Sequence, residues 1–125
     1  MAALSMISAG LGHFYSRLLA YSGMTAPVTV FRLGDVTFVG MPADFGVVAA
    51  LDLRDRLAAE ANPFSIVTSH TNGYAGYTHL PHEYEWTPDA EREVFLYENA
   101  MSWFGPNVAA RLNDAALDLC RKPAG

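Results

Sequence analysis

Between positions 68 and 84 the chain reads Thr68-Ser69-His70-Thr71-Asn72-Gly73-Tyr74-Ala75-Gly76-Tyr77-Thr78-His79-Leu80-Pro81-His82-Glu83-Tyr84, and three of the protein's four histidines lie in this one stretch. Imidazole and carboxylate groups hold metal ions or move protons, and phenols offer a hydroxyl beside an apolar ring face. His79, His82 and Glu83 make a His-x-x-His-Glu run, and with His70 they offer an independent three-histidine metal site. Pro81 sits inside that run, so it lacks the helix on which a metalloprotease motif sets its ligands. A solvent-facing histidine cluster is the plain alternative, as is a set of tyrosine hydroxyls that only tie a long loop down. Asp44, which follows Gly40-Met41-Pro42-Ala43, is the other candidate. It serves either as the N-cap of the helix after it or as a metal-binding carboxylate at a strand end. His13 and the single Cys120 read as structural side chains. No serine or cysteine stands in a nucleophile elbow, and neither a phosphate-cradling glycine loop nor a dinucleotide fingerprint is present.

The elements that must position these groups follow from periodicity. Residues 27–33 and 36–41 are rich in β-branched and aromatic side chains and flank Gly34-Asp35, which predicts an antiparallel hairpin with a two-residue type II′ turn and two largely buried strands. A helix follows Asp44, with Val47, Ala50, Leu51, Leu57 and Ala58 expected inward and Asp52, Asp55, Arg56 and Glu60 outward. Asn62-Pro63 ends it, and the apolar run 64–68 predicts a strand parallel to its predecessor, joined by a right-handed crossover. That topology brings the Asp44 corner and the Tyr74–Tyr77 loop to one edge of the sheet, where α/β proteins place chemistry. Asn72-Gly73 is suited to the positive φ of a tight turn, and Gly76 to close approach of another backbone. Further helices are expected over 4–21, after Thr87-Pro88-Asp89 until Phe104-Gly105-Pro106, and from Val108 to about Arg121. The last carries Val108, Leu112, Ala115, Ala116 and Leu119. The expected fold is a single α/β domain over 1–125: a small mixed β-sheet with a β-hairpin and a β-α-β unit, and helices packed on it.

With 51% hydrophobic and 17% charged residues in 125, the chain is a folding sequence and not a disordered one. The apolar excess is somewhat large for a solitary soluble domain, which predicts a homo-oligomer or an apolar surface set against other polypeptide. A net charge of -5 with eight Lys and Arg argues against a nucleic-acid partner or an anionic membrane surface. The first fifteen residues lack a basic start and are broken by Ser5, Ser8, Gly10, Gly12 and His13, so neither a signal peptide nor a spanning helix is expected.

Several short motifs, taken together in order, resemble the closing part of the catalytic domain of the neutral/alkaline (non-lysosomal) ceramidases. They are Gly34-Asp35-Val36-Thr37-Phe38-Val39-Gly40-Met41-Pro42-Ala43-Asp44, His70-Thr71-Asn72-Gly73-Tyr74-Ala75-Gly76-Tyr77, Glu83-Tyr84, and Tyr97-Glu98-Asn99 with Phe104-Gly105-Pro106. The resemblance implies a zinc-dependent amidase that cleaves the N-acyl bond of a lipid amide, with metal ligands at Asp44 and Tyr77 and a tyrosine reaching the substrate carbonyl at Tyr97. Asp44 stands where that family has a glutamate, Ala43 where it has a glycine, and the interval from Tyr77 to Tyr97 is longer. The family's histidine-bearing region has no counterpart in these residues. The expectation is therefore a fragment or truncated relative, inactive alone and completed by a missing N-terminal portion or another copy. The expectation from a different class is a non-enzymatic, self-associating α/β module whose tyrosine loop is structural.

Overall fold

The computed structural model describes residues 25–60, 62–84, 98 and 101–122. The helix expected over 4–21 lies outside them; of the one expected after Thr87 they include Glu98, which is helical, and 101–104, which are not. Strand β1, Thr29–Leu33, turns at Gly34-Asp35 into strand β2, Val36–Gly40, with Leu33 opposite Val36. Gly34 has φ of +58°, the positive value at the first turn position that an antiparallel two-residue hairpin asks of glycine. Two-residue strand β3, Asp44–Phe45, leads into helix α1, Val47–Ala59, and then β4, Phe64–Thr68. The parallel pairing of β2 with β4 completes a sheet of order β1-β2-β4, as the β-α-β pattern requires. Past the ends of β2 and β4 both segments run on. There β3 pairs in parallel with β5, Tyr77–Thr78, as a separate two-stranded ladder.

One layer of helices covers one face of the sheet. Helix α2, Val108–Arg121, lies beside α1 and reaches β1. The core between the layers is built from Val39, Met41 and Ala43, from Ala49, Leu53 and Leu57 of α1, and from Ala109, Leu112, Ala116, Leu117 and Cys120 of α2. Each fully buried leucine contributes about 1.5–3 kcal/mol relative to leaving it exposed. Polar contacts fix how the helices sit. The buried Asn113 amide donates 3.0 Å hydrogen bonds to the Ala49 carbonyl and to Asp52 Oδ2, Arg56 donates to Asp114, and Arg121 donates to Glu60.

Those contacts correct the expected orientation of α1. Its buried stripe is Ala49, Leu53 and Leu57, at intervals of four residues, while Val47 is 72% and Leu51 49% exposed. Asp52 and Arg56 must face Asn113 and Asp114 on α2, and a 3.6-residue turn then carries Val47 and Leu51 away from the core. The expectation of two largely buried hairpin strands is corrected as well. β1 is an edge strand, and its Phe31, Arg32 and Leu33 are exposed. The register places Phe31, Phe38 and Ile66 in one row and Leu33, Val36 and Phe64 in the next, on the face away from the helices. Phe31 and Phe38 stack there with ring centres 4.6 Å apart. Among the described residues, no helix is long and apolar enough to cross a membrane.

Candidate functional site

Pro42 lacks an N–H and cannot extend the β2 ladder, so the segment after Gly40 is held by other partners. On one side Met41 donates to the Thr68 carbonyl at 2.8 Å, Thr71 to the Met41 carbonyl at 2.9 Å, and His70 to the Ala43 carbonyl at 2.9 Å. On the other side Ala75 donates to the Pro42 carbonyl at 2.7 Å and Asp44 to the Gly76 carbonyl at 3.0 Å. The loop can fold around the segment because His70 and Asn72 take positive φ, 55° and 59°, and the Asn72 amide reaches across to Thr29 Oγ1. Gly76, at φ +76°, lies so close to the 101–103 segment that a Cβ there would stand 2.7 Å from the Met101 carbonyl oxygen.

This double lacing has one result that bears on chemistry. Asp44 and Tyr77, far apart in sequence, are direct partners in the β3–β5 ladder, and both are half-buried. Paired residues on adjacent strands lie about 4.8 Å apart and send their side chains to the same side of the ladder. The capping role considered for Asp44 is not the one it has. The N-cap of α1 is Gly46, two residues later, with no side-chain cap, while the Asp44 carboxylate has no ion pair or side-chain hydrogen bond among the described residues. Tyr97, the third expected site residue, lies outside the described residues.

The histidines do not assemble. His70 is exposed and stacks on Tyr74 at 5.4 Å, His82 is exposed on the 3-10 turn Pro81–Tyr84, and His79 is buried at 6% exposure. Among the described residues no three His, Cys, Asp or Glu side chains are grouped to hold a metal ion, which removes the site built from His70, His79 and His82. His79 has carboxylates at both ring nitrogens instead. Its Nδ1 is 3.7 Å from Glu83 Oε1 and its Nε2 3.2 Å from Glu98 Oε2, while Glu83 Oε2 accepts the Leu80 N–H at 2.6 Å. The four-residue interval from His79 to Glu83 was a visible signal for half of this arrangement; nothing local points to Glu98. Tyr84 is a tether, its hydroxyl 2.6 Å from Ser102 Oγ and accepting the His79 N–H at 3.4 Å.

A carboxylate and a phenol are oxygen donors that suit zinc, so the Asp44–Tyr77 pair fits part of a zinc ligand set. Two ligands do not complete one, since zinc takes three or four from protein.

No family model matches the chain. Two curated proteins show sequence similarity. The neutral ceramidase of Pseudomonas aeruginosa is 28% identical over 97 residues, which cover 74% of this chain and 13% of that enzyme. The neutral ceramidase of Drosophila melanogaster is 32% identical over 85 residues, 63% of this chain and 11% of that enzyme. Among solved structures, the crystal structure of the Pseudomonas aeruginosa neutral ceramidase matches with a TM-score of 0.59 and 24% identity, over 78% of this chain and 16% of that one. A ceramidase complexed with C2 matches with a TM-score of 0.57 over 78% of this chain and 15% of that one. At this identity the structural likeness speaks for the fold alone, and the chain spans only a small part of the length of each protein it matches.

Proposed function

We propose that this chain, related to one segment of the neutral ceramidases, is the part of a zinc-dependent amide hydrolase that supplies Asp44 and Tyr77 as two oxygen ligands, with histidine ligands contributed by other polypeptide. Tyr97 takes the role of reaching the substrate carbonyl, and the substrate class is a lipid amide. The observation that carries this reading is the β3–β5 register, which brings Asp44 beside Tyr77, together with an Asp44 carboxylate that no helix cap employs. Zinc in such a site polarises an amide carbonyl and activates water. The chain's own contribution is to hold two oxygen donors on a ladder whose main chain is tied from both sides, so that neither has to be ordered at the moment of binding. Two ligands bind weakly, so the chain alone is inactive and is completed by a partner segment.

Calorimetric titration with zinc, with and without imidazole to stand in for absent histidines, tests this. The expected result is weak binding by the protein alone that tightens with imidazole, and loss of that gain in both Asp44→Ala and Tyr77→Phe. Binding that survives both changes, or that disappears in His79→Ala or His82→Ala instead, refutes the reading. A second reading has its own observation: Phe31, Leu33, Phe64 and Ile66 are 56%, 70%, 62% and 46% exposed on one sheet face. Contiguous apolar surface of this kind marks a contact between proteins. In that reading the chain is a non-enzymatic module that self-associates through the sheet. Sedimentation decides it: a concentration-dependent dimer broken by Phe31→Lys, in a protein without zinc affinity, favours the module.

A further inference from the structure

Between the laced segment and the start of α2 lies a cavity of about 290 Å³. Pro42 and Ala75 line it, with Phe104 and Val108 adding apolar wall, and Tyr74 and Arg111 a phenol and a guanidinium. The first two are buried, and their main chains are joined by the 2.7 Å hydrogen bond from Ala75 to Pro42, so that wall is rigid. Phe104 precedes Gly105, whose φ of +80° turns the chain into α2. The volume lies just below the usual range for drug-sized ligands, and the composition, mostly apolar with a few polar groups, is that of a small-molecule pocket.

Arg111 gives the cavity its chemical preference. Among the described residues its guanidinium has no ion pair or side-chain hydrogen bond, whereas Arg56 and Arg121 face carboxylates and Arg32 donates to the Cys120 carbonyl. The first turn of α2 contains no acid, and Asn107, which also lines the cavity, makes no side-chain cap. Among the described residues, then, nothing answers the positive potential at that helix end, in a chain whose net charge is -5. A guanidinium recognises a carboxylate through paired N–H donors, and the walls beside it favour an alkyl body.

We propose that this cavity is a binding site for a small amphiphilic carboxylate, its alkyl chain against Pro42, Ala75, Phe104 and Val108 and its carboxylate on Arg111. The site goes beyond the hydrolase reading and requires no metal. Although Pro42 and Ala75 each lie two residues before a member of the Asp44–Tyr77 pair, none of the groups that bind the ligand is a proposed zinc ligand.

The test is an amide chemical-shift titration of the whole chain in the presence of a chelator, with octanoate, with octanol and with acetate. Octanoate is expected to give saturable shifts at Ala75 and at 104–111, more tightly than either octanol or acetate. Arg111→Gln should weaken octanoate about tenfold or more, the scale of a lost charge-assisted hydrogen bond, and leave octanol unchanged. Val108→Trp, which fills the cavity, should abolish both. Shifts that do not saturate, shifts that centre on Phe31 and Ile66, or octanoate affinity untouched by Arg111→Gln overturn the proposal. Because chelator is present throughout, none of these outcomes depends on whether zinc binds.

Discussion

Replacing Gly76 by alanine separates two costs that usually arrive together. Three described glycines have positive φ: Gly34 at +58°, Gly76 at +76° and Gly105 at +80°. An alanine at any of them takes up a left-handed backbone, which costs roughly 1–2 kcal/mol. Around Gly34 and Gly105 a new Cβ would meet nothing within 4 Å, so that term is the whole cost. At Gly76 the Cβ would stand 2.7 Å from the Met101 carbonyl oxygen and 3.3 Å from the Trp103 ring, and the oxygen belongs to backbone that cannot rotate aside. Relief requires the two segments to part, which breaks the hydrogen bond from Tyr77 N–H to the Met101 carbonyl and adds about 1–2 kcal/mol. Gly76→Ala should therefore lose about 3 kcal/mol, against 1–2 for Gly34→Ala and Gly105→Ala, out of the 5–15 typical of a domain. Urea denaturation of the three variants, with slopes compared to confirm two-state behaviour, measures this directly. Equal losses at all three positions would refute the steric argument. A selective loss at Gly76 should also weaken any zinc binding that depends on Tyr77, because Tyr77 is the next residue on the displaced strand.

Other perturbations follow from packing and charge. Asn113→Asp should destabilise more than Asn113→Ala at neutral pH, because it sets a buried carboxylate beside Asp52, and denaturation at pH 4 should narrow the gap as the acid is protonated. Burial holds the Cys120 thiol above its usual range, so the folded state keeps that proton longer than the unfolded chain does. Stability should then fall as pH rises past the ordinary thiol range, Cys120→Ala should flatten that slope, and a disulfide reagent should label the native protein slowly. Glu60 is held below the usual carboxylate range by its hydrogen bond from Arg121. Its contribution is present above the unfolded-state value and is lost as pH falls through the folded one, so Arg121→Ala should reduce the acid sensitivity of the α1–α2 contact in a pH-dependent melt.

The hairpin, the strand over 64–68 and the helix from Val108 to Arg121 were legible because each rests on local chemistry. Gly34-Asp35 makes its turn whatever surrounds it, Asn62-Pro63 stops α1 near its observed end, and the α2 repeat is strongly one-sided. The face of α1 was not legible, since its apolar residues lie all round it. Packing against β4 and α2, with Asn113 of α2 donating to Ala49 and Asp52, chooses which of them go inside. The histidines show the same limit, for proximity in sequence grouped His79 with His82, while the fold buries the first among carboxylates and leaves the second in solvent.

Residue order alone determined that Asp44 follows a strand pair and that Tyr77 follows the next parallel strand, because proline, glycine and alternating apolar residues set those boundaries through short-range sterics. The direct pairing of Asp44 with Tyr77 was decided by the tertiary structure. It depends on the loop around Gly73 and Gly76 folding back so that its amides meet the carbonyls of Pro42 and Ala43, and on the 101–103 segment passing close behind it. Contacts between segments so distant along the chain carry no local signature, since each backbone amide can satisfy itself with any carbonyl that the packing brings near.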